Sequence, residues 1–383
     1  VAWNLWLYVI VLTSEIGLQT ATYLSYALGP RAAWLAGSKW FITLSACTII
    51  GALVLVSTLG LGVGKWVHNA GGVMLIVIFT ALVALPILNW SRGTITEYRP
   101  LAIAAPALSL FSLNILAKMG FGALGGFEYV AILAGECRNP VRTINRSVLI
   151  AAPIIAVLFI LGTSSVLALV PIDQIDLIGP IPQVLSIGSR PFGIAAQIVP
   201  IAILMVMCMR LAQASVNFTA NTRLPMVAGW DHLLPEWFTR LHAKRKTPVN
   251  SILFVGAMTL AMGLAGIVGV GEQEAYQLLQ NAAGSFYALT YLVMFAIPII
   301  GLRGIEPKPS LWLRIAAASG FLMTLLYVVL SVFPIVQVKS HASFTIKISG
   351  VIIAANIVGA VIFLLAERRR RNLATDGVIV PAD

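Results

Sequence analysis

The chain has 383 residues, of which 59% are hydrophobic and only 10% charged, and its mean hydropathy is +0.94. Soluble domains carry about 25% charged residues, so a water-soluble globular fold is excluded, and the length leaves room for many membrane spans of roughly 20 residues each. The net charge of +11 would suit nucleic acid, but its distribution between loops argues for topological anchoring instead.

Ten apolar segments follow one another near 3–28, 40–60, 67–89, 106–135, 147–170, 192–222, 249–269, 276–301, 311–335 and 346–366. The sequence therefore predicts an all-α polytopic membrane protein, with a transmembrane region over 1–374 and a short polar tail over 375–383. No charged n-region or small-residue cleavage site precedes the first segment, so it is not a signal peptide. That segment carries Tyr8, Glu15, Gln19, Thr22 and Tyr26 on one helical face. The fourth, 106–135, is too long for one straight helix across about 30 Å of hydrocarbon. Four glycines crowd its middle between Gly120 and Gly126, flanked by Lys118 and Glu128. Two half-helices with an unwound centre fit this pattern, and unwound backbone is tolerated at membrane depth only where protein buries it or it lines a cavity. Close helix packing by small residues is the alternative. In the sixth segment Arg210, Gln213, Asn217 and Asn221 share a face; in the eighth, Gln277, Gln280 and Asn281 are followed by Gly284 and Tyr291. A charge facing lipid costs at least about 2.5–3.5 kcal/mol, so Glu15 and Arg210 are expected to face the interior, where Arg210 could pair with Glu15.

Sorting loops by alternate sides puts 16 of the 25 basic residues on one side, among them Lys244 to Lys246 and Arg368 to Arg371, and 7 on the other. The richer side is expected to be cytoplasmic, which makes the run at 240–246 an anchor rather than an RNA-binding patch. No nucleic-acid partner is expected. Cys47, Cys137 and Cys208 have no metal-ligand spacing, and no catalytic triad, phosphate loop or zinc site shows itself. No enzyme activity, cofactor or metal is expected; the bilayer and a small-molecule substrate are the expected partners.

The stretch FGALGGFEYVAILAGECRNPVRTINRS, with Gly126, Glu128, Glu136, Asn139, Pro140, Arg142 and Ile144, resembles the sixth helix and following loop of the amino acid–polyamine–organocation superfamily. It departs at Asn145, where that superfamily usually has proline. NTRLPMVAGWDHLLPEWFTRLHAKRKTPVNS is similar to the loop after helix eight, with His232 in place of a frequent glycine, and YLSYALGP at 23–30 resembles the end of helix three. The resemblance implies two inverted five-helix repeats, each opening on a broken helix. Only three segments precede the broken one here, so the ten correspond to helices three to twelve of twelve, with helices one and two expected before Val1. Transport by the present segment alone is not expected, since the superfamily's opposite site wall comes from helix one.

The resemblance further implies a secondary transporter of amino acids or related amines, working by alternating access with proton coupling or exchange. The protein would lie in the plasma (inner) membrane with its C-terminus cytoplasmic. A nutrient receptor or an ion cotransporter on the same fold are the alternatives, with a membrane transferase behind them. Phe121, Gly122, Ala123, Gly125 and Gly126 are expected to line the substrate site, approached by Thr13, Gln213 and Asn217. Glu128 is the first coupling candidate, because free N–H groups at a helix start favour its charge while burial opposes it. Glu15, Lys118 and Arg210 complete the coupling set. These four charges balance, so they select neither a cationic nor an anionic substrate.

Overall fold

The computed structural model describes all residues except 97, 99–107, 123–124, 133, 135–138, 194, 269–270, 302–307, 336–337, 339 and 376–383. Fifteen α-helices occur among the described residues: α1 (Ala2–Ser14), α2 (Ile16–Leu28), the short α3 (Trp34–Gly37), α4 (Lys39–Leu59), α5 (Leu61–Ser91), α6 (Leu110–Gly122), α7 (Phe127–Ile132), α8 (Pro140–Leu169), α9 (Pro180–Ser189), α10 (Ala195–Asn221), α11 (Arg223–Trp230), α12 (Val249–Gly266), α13 (Glu272–Ile300), α14 (Leu311–Ser331) and α15 (His341–Thr375). No strand occurs among the described residues. The fold is all-α and polytopic, with nine helical stretches among the described residues long and apolar enough to cross a membrane.

Nine of the ten expected spans coincide with those stretches, and the tenth, 106–135, is divided into α6 and α7. Gly122 ends α6 and Phe127 begins α7, which places the interruption within the glycine-rich stretch. The described part of the second half, α7, is six residues long. The expected loop motif at Glu136 lies outside the described residues, as does the tail beyond Thr375.

The first span differs from a straight helix. It turns at Glu15, between α1 and α2. Ser14 Oγ donates back to the Val11 carbonyl at 2.6 Å, a bond that competes with the helical ladder and bends helices. Glycines on neighbouring surfaces close in around this turn. A Cβ on Gly17 would lie 2.6 Å from Ala46 Cβ of α4, and one on Gly263 of α12 would lie 2.6 Å from the Ser14 carbonyl.

Burial ranks the helices. In the apolar window of α1–α2, 78% is buried, against 6% in the corresponding windows of α8 and α15. The first pair is therefore the hub and the other two are peripheral. Around the hub, α1 packs on α12 and α13, α2 on α4 and α10, α10 on α5, and α6 on α14. Trp6, Ile10, Leu53, Phe218 and Ile252 form one core between α1, α4, α10 and α12. Tyr23, Ile78, Ile203 and Val206 form another between α2, α5 and α10.

Candidate functional site

The interruption between α6 and α7 is held open by tyrosines from α13. Gly126 has φ 103°, a conformation that side chains other than glycine's rarely adopt. A Cβ on Gly125 would meet the Tyr287 ring at 2.8 Å, so the bare backbone is what lets that ring approach. The Gly126 N–H donates to the Tyr287 hydroxyl. Tyr287 in turn donates to Tyr291 Oη at 3.2 Å, and Tyr291 donates to Glu128 Oε2 at 2.5 Å. A backbone group freed by the break is thus linked through two phenols to a carboxylate. Glu128 Oε1 is buried and has no partner.

Aromatic rings surround this chain of bonds. Tyr8 of α1 stacks on Tyr287 with centroids 4.1 Å apart. Phe121, near the end of α6, stacks on Tyr327 of α14 at 4.6 Å and meets Tyr287 and Tyr291 edge-on. Tyr129 of α7 donates to the Leu5 carbonyl at 2.9 Å, which fastens the second half-helix to the hub. Asn114 donates to the Phe333 carbonyl at 3.0 Å and fastens the first half. Both half-helices are therefore anchored, while Gly125 and Gly126 between them are not helical.

A second polar centre sits at the turn between α1 and α2. Glu15 is 5% exposed. Its Oε1 accepts from Gln19 Nε2 and from Gln280 Nε2, each at 2.8 Å, and Oε2 is buried without a partner. No ion pair joins Glu15 to Arg210 among the described residues; Arg210 Nη1 lies 3.5 Å from Gln213 Oε1, and its Nε is buried and unmet. The charge is matched instead by amide donors. A cavity of about 180 Å³ lies between α2, α4 and α10, with Gln19, Tyr23 and Arg210 on an otherwise largely apolar wall.

The structure thus gathers Phe121, Gly125, Gly126 and Glu128 around the break and keeps Glu15 and Arg210 in the second centre. Gly122 closes α6, Thr13 is buried on α1, Asn217 is half-buried and Gln213 exposed on α10. Ala123 lies outside the described residues. Lys118 stands one turn before the break with its Nζ buried and unmet. Tyr287 and Tyr327 are the residues that sequence reasoning missed. The stripe through Gly284 and Tyr291 already marked the face, and Tyr287 is the i+3 position between them; its partner Tyr327 comes from a separate helix.

A model of the family described as Amino acid permease matches residues 1–362. An uncharacterized transporter of Legionella pneumophila is 24% identical over 80% of this chain and 65% of its own. The branched-chain amino acid permease of Bacillus subtilis is 22% identical over 70% of this chain and 56% of its own. The human b(0,+)-type amino acid transporter 1 is 22% identical over 76% and 57% respectively. The chain therefore spans between about half and two thirds of the length of these relatives.

Proposed function

The chain belongs to the amino acid permease family, and from that premise we propose that it is a secondary transporter moving amino acids or related amines across a membrane by alternating access. The observation that carries the reading is the break between Gly122 and Phe127, with its freed Gly126 N–H and the carboxylate of Glu128 two bonds further along the tyrosine chain. Broken helices at membrane depth present backbone groups to substrates and ions in secondary transporters. The substrate would lie against Phe121, Gly122, Ala123, Gly125 and Gly126. Thr13, Gln213 and Asn217 would approach from the hub and from α10. The relatives from Bacillus subtilis and human are amino acid transporters by their descriptions, which supports the substrate class.

Coupling by protons or by exchange is assigned to Glu128, with Glu15 as the second carboxylate. Glu128 is suited because its one hydrogen-bonded oxygen is held by a neutral phenol, and no cation pairs with it among the described residues. A carboxylate so placed can change protonation without first breaking an ion pair. We assign the protein to the plasma (inner) membrane because the family resemblance implies it, and the loop charges support a cytoplasmic C-terminus.

The test is substrate counterflow in proteoliposomes containing the full-length protein or its Gly126→Leu variant. Gly126→Leu forces a side chain into a backbone conformation that disfavours one and disturbs the N–H offered to Tyr287. Counterflow by the parent protein and its loss in a variant that still inserts is the expected result. Undiminished substrate affinity in Gly126→Leu would remove the break from the site.

A further inference from the structure

The cavity between α2, α4 and α10 lies on the opposite flank of α10 from the proposed substrate wall. Cys208 lines it, and the five residues from there to Gln213 turn the helix about 140° past a full revolution. Its volume of about 180 Å³ is roughly ten times the space that one ordered water needs. Ile16, Ile49, Leu204, Met207 and Leu211 make most of its wall apolar. Leu204 is 50% exposed and Cys208 is exposed as well, so the rim opens toward the lipid-facing surface of the bundle.

Two side chains of this wall end in buried polar atoms that make no hydrogen bond. Tyr23 is 2% exposed and its Oη is unmet; Arg210 Nε is likewise buried and unmet. The phenol and the guanidinium are neighbours. The other polar groups on the wall are turned elsewhere: Gln19 Nε2 donates to Glu15 Oε1 at 2.8 Å, and Arg210 Nη1 lies 3.5 Å from Gln213 Oε1. What remains toward the cavity is an N–H and an O–H side by side. A buried donor left without an acceptor is costly, and an apolar wall with only two polar groups holds water poorly.

We propose that this cavity binds the carboxylate end of a single-chain fatty acid drawn from the bilayer. The two carboxylate oxygens accept from Arg210 Nε and Tyr23 Oη, one of these bonds being assisted by charge on both sides. The first methylenes lie against the apolar wall, and the rest of the chain leaves past Leu204 and Cys208 among the lipid tails. The space suits a small head on one chain; a phosphodiester carrying two chains is too large for it. Moving a chain from lipid to an apolar protein wall brings no hydrophobic gain, so selectivity rests on the head.

The experiment uses the full-length protein in phosphatidylcholine nanodiscs and a palmitic acid with a photoreactive diazirine close to its carboxyl group. After irradiation, peptide mass spectrometry should find adducts on 16–23 and 204–211 in preference to the lipid-facing α8 and α15. Unlabelled palmitic acid should compete, and methyl palmitate should not. The affinity for palmitic acid, read from that competition, is expected to fall about 10- to 100-fold in Arg210→Gln, the size of a lost hydrogen bond to a charged group. Where Arg210→Gln does not insert, Tyr23→Phe keeps the ring in the core and removes one donor, with an expected loss of about 2- to 10-fold. Adducts spread evenly over the lipid-facing helices, equal competition by the methyl ester, or unchanged affinity in the variant that inserts each overturn the site. None of these outcomes bears on the transport reading, because the readout is binding of the fatty acid and not of the substrate.

Discussion

Tyr291 is the residue at which the hydrogen-bond chain from the broken backbone reaches a charge. Its hydroxyl receives from Tyr287 at 3.2 Å and donates to Glu128 Oε2 at 2.5 Å. A hydrogen bond to a charged group is worth about 1.5–3 kcal/mol. Tyr291→Phe removes it while keeping the ring that meets Phe121 edge-on. We predict that transport falls about 10- to 100-fold when this variant is made in the full-length protein, with insertion unchanged; initial uptake rates in proteoliposomes decide it. Glu128→Gln isolates the charge itself, because a carboxamide oxygen still accepts from Tyr291. Exchange should persist, while accumulation against a concentration gradient is lost. Accumulation with the pH dependence of the parent protein would make Glu128 a structural group. Glu15 does not compete equally for this role: its hydrogen-bonded oxygen carries two amide donors, where that of Glu128 carries one phenol.

Helices in this protein meet where glycine permits it, and the crossing of α5 and α10 shows how local the permission is. A Cβ on Gly71 would lie 2.2 Å from Ala212 Cβ, while one on the adjacent Gly72 would meet nothing within 4 Å. Overpacking a tight contact costs typically about 1–3 kcal/mol, whereas Gly→Ala at an open helical site gains about 0.5–1 kcal/mol. Gly71→Ala should therefore lower the melting temperature of the solubilised protein, and Gly72→Ala should hold or raise it. Equal effects of the two would show that α5 and α10 do not cross there. The same residue type decides what the sequence reveals about elements. Glycine density makes the α6–α7 break legible, since four glycines in seven residues make a poor helix in lipid. The turn at Glu15 leaves no comparable mark: it depends on a Ser14 back-bond and on Gly17 and Gly263 admitting α4 and α12, and the second of these comes from a remote segment. The tyrosine chain was half legible. Periodicity gathers Gly284 and Tyr291 on one face of α13, but which phenol bonds Gly126 and which bonds Glu128 depends on how two helices are set against each other, and residue spacing does not encode that.

At the scale of the molecule, hydrogen bonds between distant loops sort the helix ends into two faces. Asp176, in the connection between α8 and α9, accepts from Tyr26 near the end of α2 at 2.8 Å and from Gln273 at the start of α13 at 3.1 Å. Asn89, near the end of α5, donates to the Gly188 carbonyl of α9 at 2.9 Å. These ends share one face. Thr247 donates to the Thr58 carbonyl near the end of α4 at 3.1 Å, which places the connection between α11 and α12 with the end of α4. Counting the α6–α7 pair as one crossing among ten puts each of these groups on a single side, with the second group opposite the first. The loop charges fall the same way, because the basic run Lys244 to Lys246 belongs to the second group and Arg190 to the first. Geometry and charge are independent here, since the hydrogen bonds involve none of the basic residues counted. The charge bias supports the proposal that the face of the second group is the cytoplasmic one, on which the geometry is silent. Single cysteines at three exposed positions test this arrangement, on a background with Cys47, Cys137 and Cys208 replaced by serine. Arg190→Cys should react with a membrane-impermeant maleimide in intact cells. Lys244→Cys and Arg369→Cys should react only after permeabilisation. Labelling of positions 190 and 244 from the same side would break the count of ten crossings; a full exchange of sides would keep the fold and overturn the assignment of the cytoplasmic face.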